Sequence, residues 1–496
     1  RKVNIMFSDS FSLVKKDKYY FLIDAYTCNQ IAISKSAYDV LYALKSGDTI
    51  QHVKECYGED LVDEILSQLA MLQVERKNSD TPYHTWKNSL KSIEQFLHKE
   101  PSILEGVFMI AQDCNLACRY CYGGESGTYN HSGYMTKEMA EKYFRYLLSA
   151  GKDRPFQKVA FFGGEPLLNM DVIRHVVSLW EELKPLYNGR KIYFCLTTNG
   201  TLLTKEIAEY CKEHSIGITI SLDGPKEIHD SNRVFVSGKG SFDKVMENIK
   251  MLREMNIPFS TRSTVTKQTN PKKLFSFLEK ENFKTSCISP VDYPTVNPEK
   301  DYQLDAESFR NFSREYQRVV EEGCRNVLKG QSETFNSKQM SIAFSHVGQY
   351  DKQYPFTCGA GWSIVAFGAD GNIYPCQRFV GSEKYIIGNV SDGLDREKIV
   401  SFFRSFLKAS ESCSECWAYA ICKGRCFMQK ATGDGGFKQI DKEICDIYRD
   451  SLADNLILAA NLQKAEEEGN KDALKKAIIR YDADNMLKEH ELSMKR

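Results

Sequence analysis

The chain has 496 residues, enough for about three to four domains. Its 66 basic and 66 acidic side chains give a net charge of zero, so electrostatics offer no argument for a nucleic-acid or membrane partner. No apolar run approaches the ~18 residues of a spanning helix, and the N-terminus, where Arg1 stands in place of an initiator Met, has no signal-peptide pattern. Sixteen cysteines without an export signal favour metal or redox chemistry over disulfides, so we expect a cytoplasmic protein with reduced thiols.

Residues 1–100 are predicted to form a winged-helix-like α+β domain with about three strands and three helices. Strand patterns occupy residues 19–23 and 27–33, and helical patterns occupy residues 35–45, 49–57 and 59–72. DNA binding is the ordinary role of a winged helix. The candidate recognition helix, residues 49–57, carries only Lys54 as a base, with Glu55 beside it, so it has no basic face that would bind phosphates. Pro101 marks the predicted boundary.

Residues 105–330 are predicted to form an α/β domain, a partial (β/α)6 barrel of the TIM type, because strands alternate with amphipathic helices. The predicted strands are residues 107–111, 158–163, 191–197, 217–222, 259–265 and 285–289. The predicted helices are residues 137–149, 170–183, 205–214, 242–255, 271–281 and 306–328. These six units fall short of the eight in a closed barrel. A Cys-rich segment, residues 350–450, and a helical tail, residues 451–496, complete the chain.

Three cysteines follow the first predicted barrel strand at a spacing that suits an iron–sulfur cluster. Cys114, Cys118 and Cys121 have three and then two residues between them. Three thiolates can hold three irons of a 4Fe–4S cube and leave the fourth iron open to a small molecule. A closed cluster needs a fourth cysteine nearby, whereas the next one is Cys195. The spacing by itself leaves structural zinc and unrelated buried thiols as alternatives.

Short polar motifs end the next three predicted strands. The second strand ends in Gly163-Gly164-Glu165-Pro166, where two glycines let the backbone approach a ligand and Glu165 offers a carboxylate to an ammonium group. The third strand ends in Thr197-Thr198-Asn199-Gly200 and the fourth in Ser221-Leu222-Asp223-Gly224. Each motif alone is as typical of an ordinary turn. Their order at successive strand ends, after the cysteine triplet, indicates one shared site.

In this order the motifs resemble those of the radical S-adenosylmethionine (radical SAM) enzymes. The resemblance implies that Cys114, Cys118 and Cys121 hold a catalytic 4Fe–4S cluster, with S-adenosylmethionine (SAM) bound beside it. It implies that Glu165 contacts the methionine ammonium. The other implied cofactor-binding residues are Tyr120, Gly163, Gly164, Thr198, Asn199, Ser221, Asp223 and Arg233. His229-Asp230 together with Arg233 is similar to a pattern of the subgroup that acts on peptides.

Seven further cysteines lie in the C-terminal segment: Cys358, Cys376, Cys413, Cys416, Cys422, Cys426 and Cys445. Seven thiolates exceed the four ligands of one zinc ion, although two zinc-ribbon halves are an alternative. The pattern resembles the SPASM domain of radical SAM enzymes that modify peptides. It implies two auxiliary 4Fe–4S clusters: a distal one on Cys413, Cys416, Cys422 and Cys445, and a proximal one on Cys358, Cys376 and Cys426.

Two further expectations concern cysteines. Residues 359–371 contain no cysteine, whereas some relatives carry an eighth one there, so the resemblance implies an open iron on the proximal cluster. The cysteines outside these patterns are expected to be core or surface thiols: Cys28, Cys56, Cys195, Cys211, Cys287 and Cys324.

The resemblance as a whole implies a thioether-forming maturase of a ribosomally made peptide. One electron from the catalytic cluster would cleave SAM to methionine and a 5′-deoxyadenosyl radical, which removes a hydrogen from the substrate. A substrate cysteine on the open proximal cluster would capture the carbon radical, and the cluster would accept the surplus electron. The implied partners are a precursor peptide, whose leader adds as a strand to the N-terminal domain, and an electron donor such as flavodoxin or ferredoxin; no nucleic acid or membrane is expected.

Two alternatives remain. Within the family, the product could be a carbon–carbon crosslink or a modified protein partner. In another class, the winged helix and the clusters would suit an iron–sulfur redox-sensing DNA-binding regulator. The Gly-Gly-Glu-Pro motif and the implied SAM-binding residues after the third and fourth strands weigh against a regulator, because a sensor does not need a carboxylate for methionine.

Overall fold

The computed structural model describes residues 11–24, 30–77, 86–96, 98, 102–124, 129, 133–283, 286–291, 302–329 and 356–469. Within these residues there are two β-sheets, one of three strands and one of eleven. None of the described helices combines the length and apolar character needed to span a membrane. The prediction for Cys28 lies outside the described residues.

The N-terminal unit contains a three-stranded antiparallel sheet in the order β1 (Phe11–Lys16), β2 (Tyr19–Asp24) and β3 (Gln30–Ile33). Its helices are α1 (Lys35–Lys45), α2 (Ile50–Tyr57), α3 (Glu59–Lys77) and α4 (Trp86–Phe96). Ser34 and Thr49 begin the first two helices, because their hydroxyls accept hydrogen bonds from backbone amides of the first turn. The predicted strands and helices are found in the structure, whereas β1 was not predicted from the sequence.

The large sheet contains the six predicted parallel strands, each within two residues of its expected ends. They are β4 (Glu105–Gln112), β6 (Phe156–Gly163), β7 (Lys191–Thr198), β8 (Gly217–Ser221), β9 (Phe259–Val265) and β10 (Ser286–Pro290), and they lie side by side in that order. The two-residue strand β5 (Gly133–Tyr134) pairs with the end of β4. The predicted α/β class with a parallel sheet is therefore confirmed.

The helices of this region also match the predictions closely. They are α5 (Lys137–Ala150), α6 (Met170–Leu183), α7 (Lys205–Glu213), α8 (Lys226–Asn232), α9 (Phe242–Glu254), α10 (Pro271–Lys280) and α11 (Ala306–Leu328). Thr136, Thr204 and Asn270 cap α5, α7 and α10 through side-chain oxygens. Only α8 was not predicted; its seven residues are too few for a clear helical period.

The Cys-rich segment extends the large sheet. Strand β11 (Ile364–Phe367) pairs in parallel with β4 on the side opposite β6. The short antiparallel strands β12 (Asn372–Tyr374), β13 (Gly388–Asn389) and β14 (Gly393–Leu394) follow it. The helices of this segment are α12 (Arg396–Lys408), α13 (Tyr419–Cys422), α14 (Phe427–Lys430) and α15 (Lys442–Glu467). Helix α15 runs across residue 450, where the predicted tail begins, and carries Cys445 near its start.

The N-terminal sheet packs on two partners through its two faces. Phe11 and Leu22 lie in one apolar cluster with α1, α2 and α3. Val14, Phe21 and Ile23 lie in another cluster, formed with the C-terminal segment and its last helix: Ala418, Ala420, Ile421, Leu452, Ala453 and Leu456. On the same side Lys16 Nζ lies 2.6 Å from Asp454 Oδ1. The N-terminal unit therefore covers the segment between Cys416 and Cys422.

Candidate active site and cluster sites

The loops after four parallel strands surround one cavity. Because parallel strands end at the same edge of a sheet, their following loops converge there. The cavity is lined by most of the predicted residues: Cys114, Cys118, Cys121, Tyr120, Gly163, Gly164, Thr198, Asn199, Ser221 and Arg233. Two predicted residues, Glu165 and Asp223, are fully buried and do not line it.

The three thiols of this cavity are suited to bind a soft metal group. Burial raises the pKa of Cys114 and of Cys118 to about 12, so neither thiol ionises readily without a bound cation. Among the described residues no carboxylate lines the cavity. Three sulfur donors without a carboxylate are the ligand set of an iron–sulfur group rather than of Mg²⁺ or Ca²⁺. The residues therefore fit the cluster that the resemblance implies.

The glycine pair is required by the packing of two strand ends. Gly163 has φ of +148°, and a Cβ atom there would lie 2.2 Å from the carbonyl oxygen of Ala111. A Cβ atom on Gly164 would lie 2.2 Å from the carbonyl oxygen of Asp113. The close approach is thus to the backbone just before Cys114, a reason for glycine that the sequence argument, which invoked a ligand, did not include.

Glu165 joins the loops after β6 and β7. Its carboxylate accepts hydrogen bonds from the amide of Leu167 at 3.0 Å, the hydroxyl of Thr198 at 2.7 Å and the amide of Asn199 at 2.7 Å. A carboxylate offers about four acceptor positions, so one remains for a ligand donor. Burial raises the pKa of Glu165 to about 7, against the opposing effect of these three bonds. Its predicted contact with the methionine ammonium stays a prediction.

Asp223 holds an arginine against the cysteine loop. Its carboxylate accepts from the Tyr120 hydroxyl, from Arg233 Nε at 3.0 Å and from the amide of Thr264 at 2.9 Å. Arg233 Nη1 in turn lies 4.0 Å from Cys118 Sγ, and the guanidinium lies over the Tyr120 ring. Asp223 lies buried beneath the surface of the cavity. It therefore positions the Arg233 guanidinium beside the Cys118 thiol.

His229 supports the same arginine from its other side. Its Nε2 lies 2.9 Å from Ser241 Oγ, and that hydroxyl donates to the carbonyl of Arg233 at 2.8 Å. Burial lowers the pKa of His229 to about 4, so the ring is neutral at physiological pH. This residue, which the sequence associated with peptide-modifying enzymes, has a structural contact here that explains its burial.

The seven C-terminal cysteines form the two groups that the resemblance implied. Cys413, Cys416, Cys422 and Cys445 line one cavity of about 260 Å³. Cys358, Cys376 and Cys426 lie close enough for their charges to interact, and burial raises the pKa of Cys358 to about 12 and that of Cys376 further. Four thiols in one group and three in the other fit two iron–sulfur groups better than two closed zinc sites.

Basic side chains contact both C-terminal groups, and no sequence motif had marked them. Arg378 Nη1 lies 3.7 Å from Cys426 Sγ, and the same residue lines the first cavity. Arg449 Nη1 lies 3.8 Å from Cys416 Sγ. Lys430, Arg425 and Arg449 line the four-thiol cavity. Only proximity to the cysteines in sequence could have indicated Arg378 and Arg425.

The remaining described cysteines line neither of these cavities. Cys211 and Cys324 are buried, Cys195 and Cys287 are half-buried, and Cys56 is exposed. This placement agrees with the expectation of core or surface thiols.

Comparisons with known proteins identify the central domain. Residues 109–280 match the family model described as the radical SAM superfamily. The cysteine-type anaerobic sulfatase-maturating enzyme of Clostridium perfringens is 27% identical over 328 residues, which cover 63% of this chain and 85% of that protein. A structure described as native anSMEcpe with bound AdoMet and Cp18Cys peptide has a TM-score of 0.60 at 24% identity, covering 73% of this chain and 99% of that one.

A second solved structure resembles a larger part of the chain. Streptococcus suis SuiB bound to its precursor peptide SuiA has a TM-score of 0.50 at 15% identity, and the match covers 88% of this chain and 99% of that one. At these identities the two structures show a common fold only. The family match implies SAM and one 4Fe–4S cluster. Residues 109–280 therefore match a radical SAM domain, and the chain is similar to anaerobic sulfatase-maturating enzymes.

Proposed function

We propose that this enzyme installs thioether crosslinks in a ribosomally made precursor peptide. The observation that carries the proposal is the position of Arg378, which lines the first cavity and contacts Cys426 of the three-thiol group. The Arg378 side chain therefore lies between the three-thiol group and the first cavity. A peptide bound in that cavity would have a carbon near the radical source and a sulfur near the second group.

The cysteines divide into three ligand sets. Cys114, Cys118 and Cys121 would hold the SAM-binding cluster, Cys358, Cys376 and Cys426 the proximal auxiliary cluster, and the four thiols of the 260 Å³ cavity the distal one. When bound, SAM and its cluster supply a 5′-deoxyadenosyl radical that removes a hydrogen atom from the substrate. The three-thiol set leaves a position that a substrate thiolate can fill, because iron takes soft sulfur ligands readily.

The surrounding residues orient and enclose the reacting groups. Asp223 and the Ser241 hydroxyl hold Arg233 beside Cys118, so a fixed positive charge faces the thiolates. Glu165 ties the Gly-Gly loop to the Thr-Asn loop and keeps one acceptor position for an ammonium group. Fixed geometry of this kind lowers the entropic part of the barrier.

The open edge of the N-terminal sheet is proposed to bind the leader of the precursor. Within the described residues β3 pairs only with β2, so its other edge is available for an added strand. The likeness in fold to SuiB, which was solved with its precursor peptide, supports a peptide partner. A flavodoxin or ferredoxin is proposed as the electron donor.

The function is tested with the anaerobically reconstituted full chain, SAM, dithionite and a cysteine-rich peptide, chosen from any short reading frame beside the gene that encodes one. Each thioether removes two hydrogens from the peptide and one thiol from alkylation, and both are measured by mass spectrometry. A peptide with Ser in place of Cys should remain unchanged. Formation of 5′-deoxyadenosine with every peptide thiol still free to alkylate would exclude thioether formation.

A second candidate is maturation of a protein partner, which the similarity to the sulfatase-maturating enzyme of Clostridium perfringens favours. The Cp18Cys peptide named in the solved relative is the probe for it. A mass change in Cp18Cys without any change in the cysteine-rich peptide would favour this candidate over the first.

Glu165→Gln is predicted to weaken SAM binding by roughly 10- to 100-fold, the equivalent of a charge-assisted hydrogen bond of about 1.5–3 kcal/mol. Since burial raises the pKa of Glu165 to about 7, a cation must displace a proton from it at lower pH. The affinity of the wild type should therefore fall as the pH decreases below about 7, whereas the affinity of Glu165→Gln should not. Equilibrium dialysis of labelled SAM measures both.

The raised pKa of Glu165 affects the stability of the SAM-free protein in the opposite direction, so that stability rises as the pH decreases. The pKa of Glu165 is higher in the folded protein than its ordinary value of 4.5. Its contribution to the free energy of unfolding is therefore fully present below pH 4.5 and is lost as the pH rises through about 7. Iron content is the control for the variant and should not change. Equal affinity of wild type and Glu165→Gln at all pH values would remove Glu165 from the binding site.

Leader binding is predicted to protect the backbone amides of β3 from hydrogen exchange. Strand addition places the amides of β3 that point away from β2 in new hydrogen bonds, so their exchange should slow in the presence of a synthetic leader peptide. The amides of α2, which a DNA-binding winged helix would use, should exchange at an unchanged rate. Tight binding of duplex DNA with a steep dependence on salt would instead support the regulator.

A further inference from the structure

Lys430, at the end of α14, is a buried cation without a carboxylate partner among the described residues. Only 1% of its surface is exposed. Its ammonium donates to Ser410 Oγ and lies 4.9 Å from the centre of the Phe406 ring. A hydroxyl and an aromatic face can solvate an ammonium in part, but neither carries a compensating charge. A buried, uncompensated ammonium is strongly unfavourable, so Lys430 keeps its charge only where a negative group faces it.

Among the described residues, the negative groups that act on Lys430 are the thiolates of the four-thiol cavity. Lys430 lines this cavity together with Cys413, Cys416, Cys422 and Cys445. Burial lowers the pKa of Lys430, while the charges of Cys413, Cys422 and Cys445 oppose that change. No described residue with a carboxylate lines the cavity, whereas four cationic residues do: Arg425, Lys430, Lys442 and Arg449.

The four cations differ in how far their charge is already compensated. Arg449 forms an ion pair with Asp446. Arg425 Nε donates to Gln429 Oε1 at 3.2 Å, and its guanidinium lies over the ring of Tyr448. Lys442 is exposed, so water screens it. Lys430 alone among them is both fully buried and without an anionic partner in the described structure, so its charge is the least screened by water.

We propose that Lys430 is the counter-charge of the cluster held by Cys413, Cys416, Cys422 and Cys445, and that it raises the reduction potential of this cluster. The inference rests on the proposed function, in which these four thiolates hold a 4Fe–4S group. One-electron reduction adds one negative charge to the cavity, and a fixed ammonium at its wall favours that reduced state. Lys430 thereby makes the distal cluster easier to reduce, so that it can take on the electron that the proximal cluster receives when the crosslink closes.

The test is an EPR-monitored redox titration of the reconstituted full chain. Lys430→Met, which keeps the length of the side chain and removes its charge, should shift the midpoint potential of one cluster to a more negative value. Lys442→Met is the matched control, since it removes an exposed charge from the same cavity and should shift the potential far less. A midpoint potential in Lys430→Met equal to that of the wild type would overturn the proposal.

If Lys430→Met does not bind iron in the four-thiol cavity, two further measurements distinguish a role of the charge from a role in packing. Lys430→Arg keeps the charge, so it should retain the cluster if charge is what matters; loss of the cluster in both variants would overturn the proposal in favour of packing. The thermal midpoint of the iron-free protein should not fall in Lys430→Met, because removal of an unpaired buried charge is not destabilising. Failure of the cluster assignment, which the inference takes from the proposed function, is recognised separately: iron content would then be the same in Cys422→Ala as in the wild type.

Discussion

Replacing Cys114, Cys118 and Cys121 together with Ala is expected to abolish formation of 5′-deoxyadenosine from SAM. The three thiols line the cavity at the ends of the parallel strands and are the only cysteines that do so in the described structure. Their removal leaves no sulfur ligand for the SAM-binding cluster, whereas the seven C-terminal cysteines are unaffected. Iron content should fall by about one third, from about twelve irons to about eight, if each cluster has four.

The matched control replaces three cysteines that line neither this cavity nor the four-thiol cavity: Cys56, Cys195 and Cys287. That variant should keep both its iron and its cleavage of SAM. Chromatography of the reaction mixture measures 5′-deoxyadenosine, and a colorimetric assay measures iron. Cleavage at the rate of the wild type by the Cys114, Cys118 and Cys121 variant would show that the catalytic cluster is held elsewhere.

Phe21→Ala is expected to destabilise the protein by about 3–5 kcal/mol and to reduce the iron held in the four-thiol cavity. Phe21 is fully buried between the N-terminal sheet and the segment that carries Cys416 and Cys422, where it packs near Ala418 and Ile421. Truncation leaves a cavity in the apolar cluster against which Cys416 and Cys422 pack. We therefore expect a loss of thermal stability together with a loss of up to one cluster.

Tyr42→Ala is the control for this substitution, because Tyr42 is an aromatic residue of the same unit that is 58% exposed. It should change the thermal midpoint and the iron content little. An unchanged midpoint and full iron content in Phe21→Ala would show that the N-terminal sheet does not support the cluster segment. Deletion of residues 1–100 is a poorer test of leader binding, since it would expose Ala418, Ile421, Leu452 and Leu456 at the same time.

Local sequence determined the elements and much of the candidate site. The helical period of residues 137–328 depends on neighbouring residues only, so each predicted helix there agrees with the structure to within one residue. The six parallel strands could be predicted for the same reason. Parallel strands end at the same edge of a sheet, so the predicted strands by themselves place the residues that follow them close together. The cavity indeed contains Cys114, Gly164, Asn199 and Ser221.

Contacts between distant segments were decided only by the tertiary structure. The pairing of β11 with β4, the packing of Phe21 on Ile421 and the closeness of Arg378 to the first cavity join residues far apart in the chain, and no local period encodes them. The burial of Asp223 below the cavity and the unpaired charge of Lys430 are of the same kind. A motif shows which chemical groups are present, whereas burial and charge compensation depend on everything packed around them, so these properties emerge only in the folded chain.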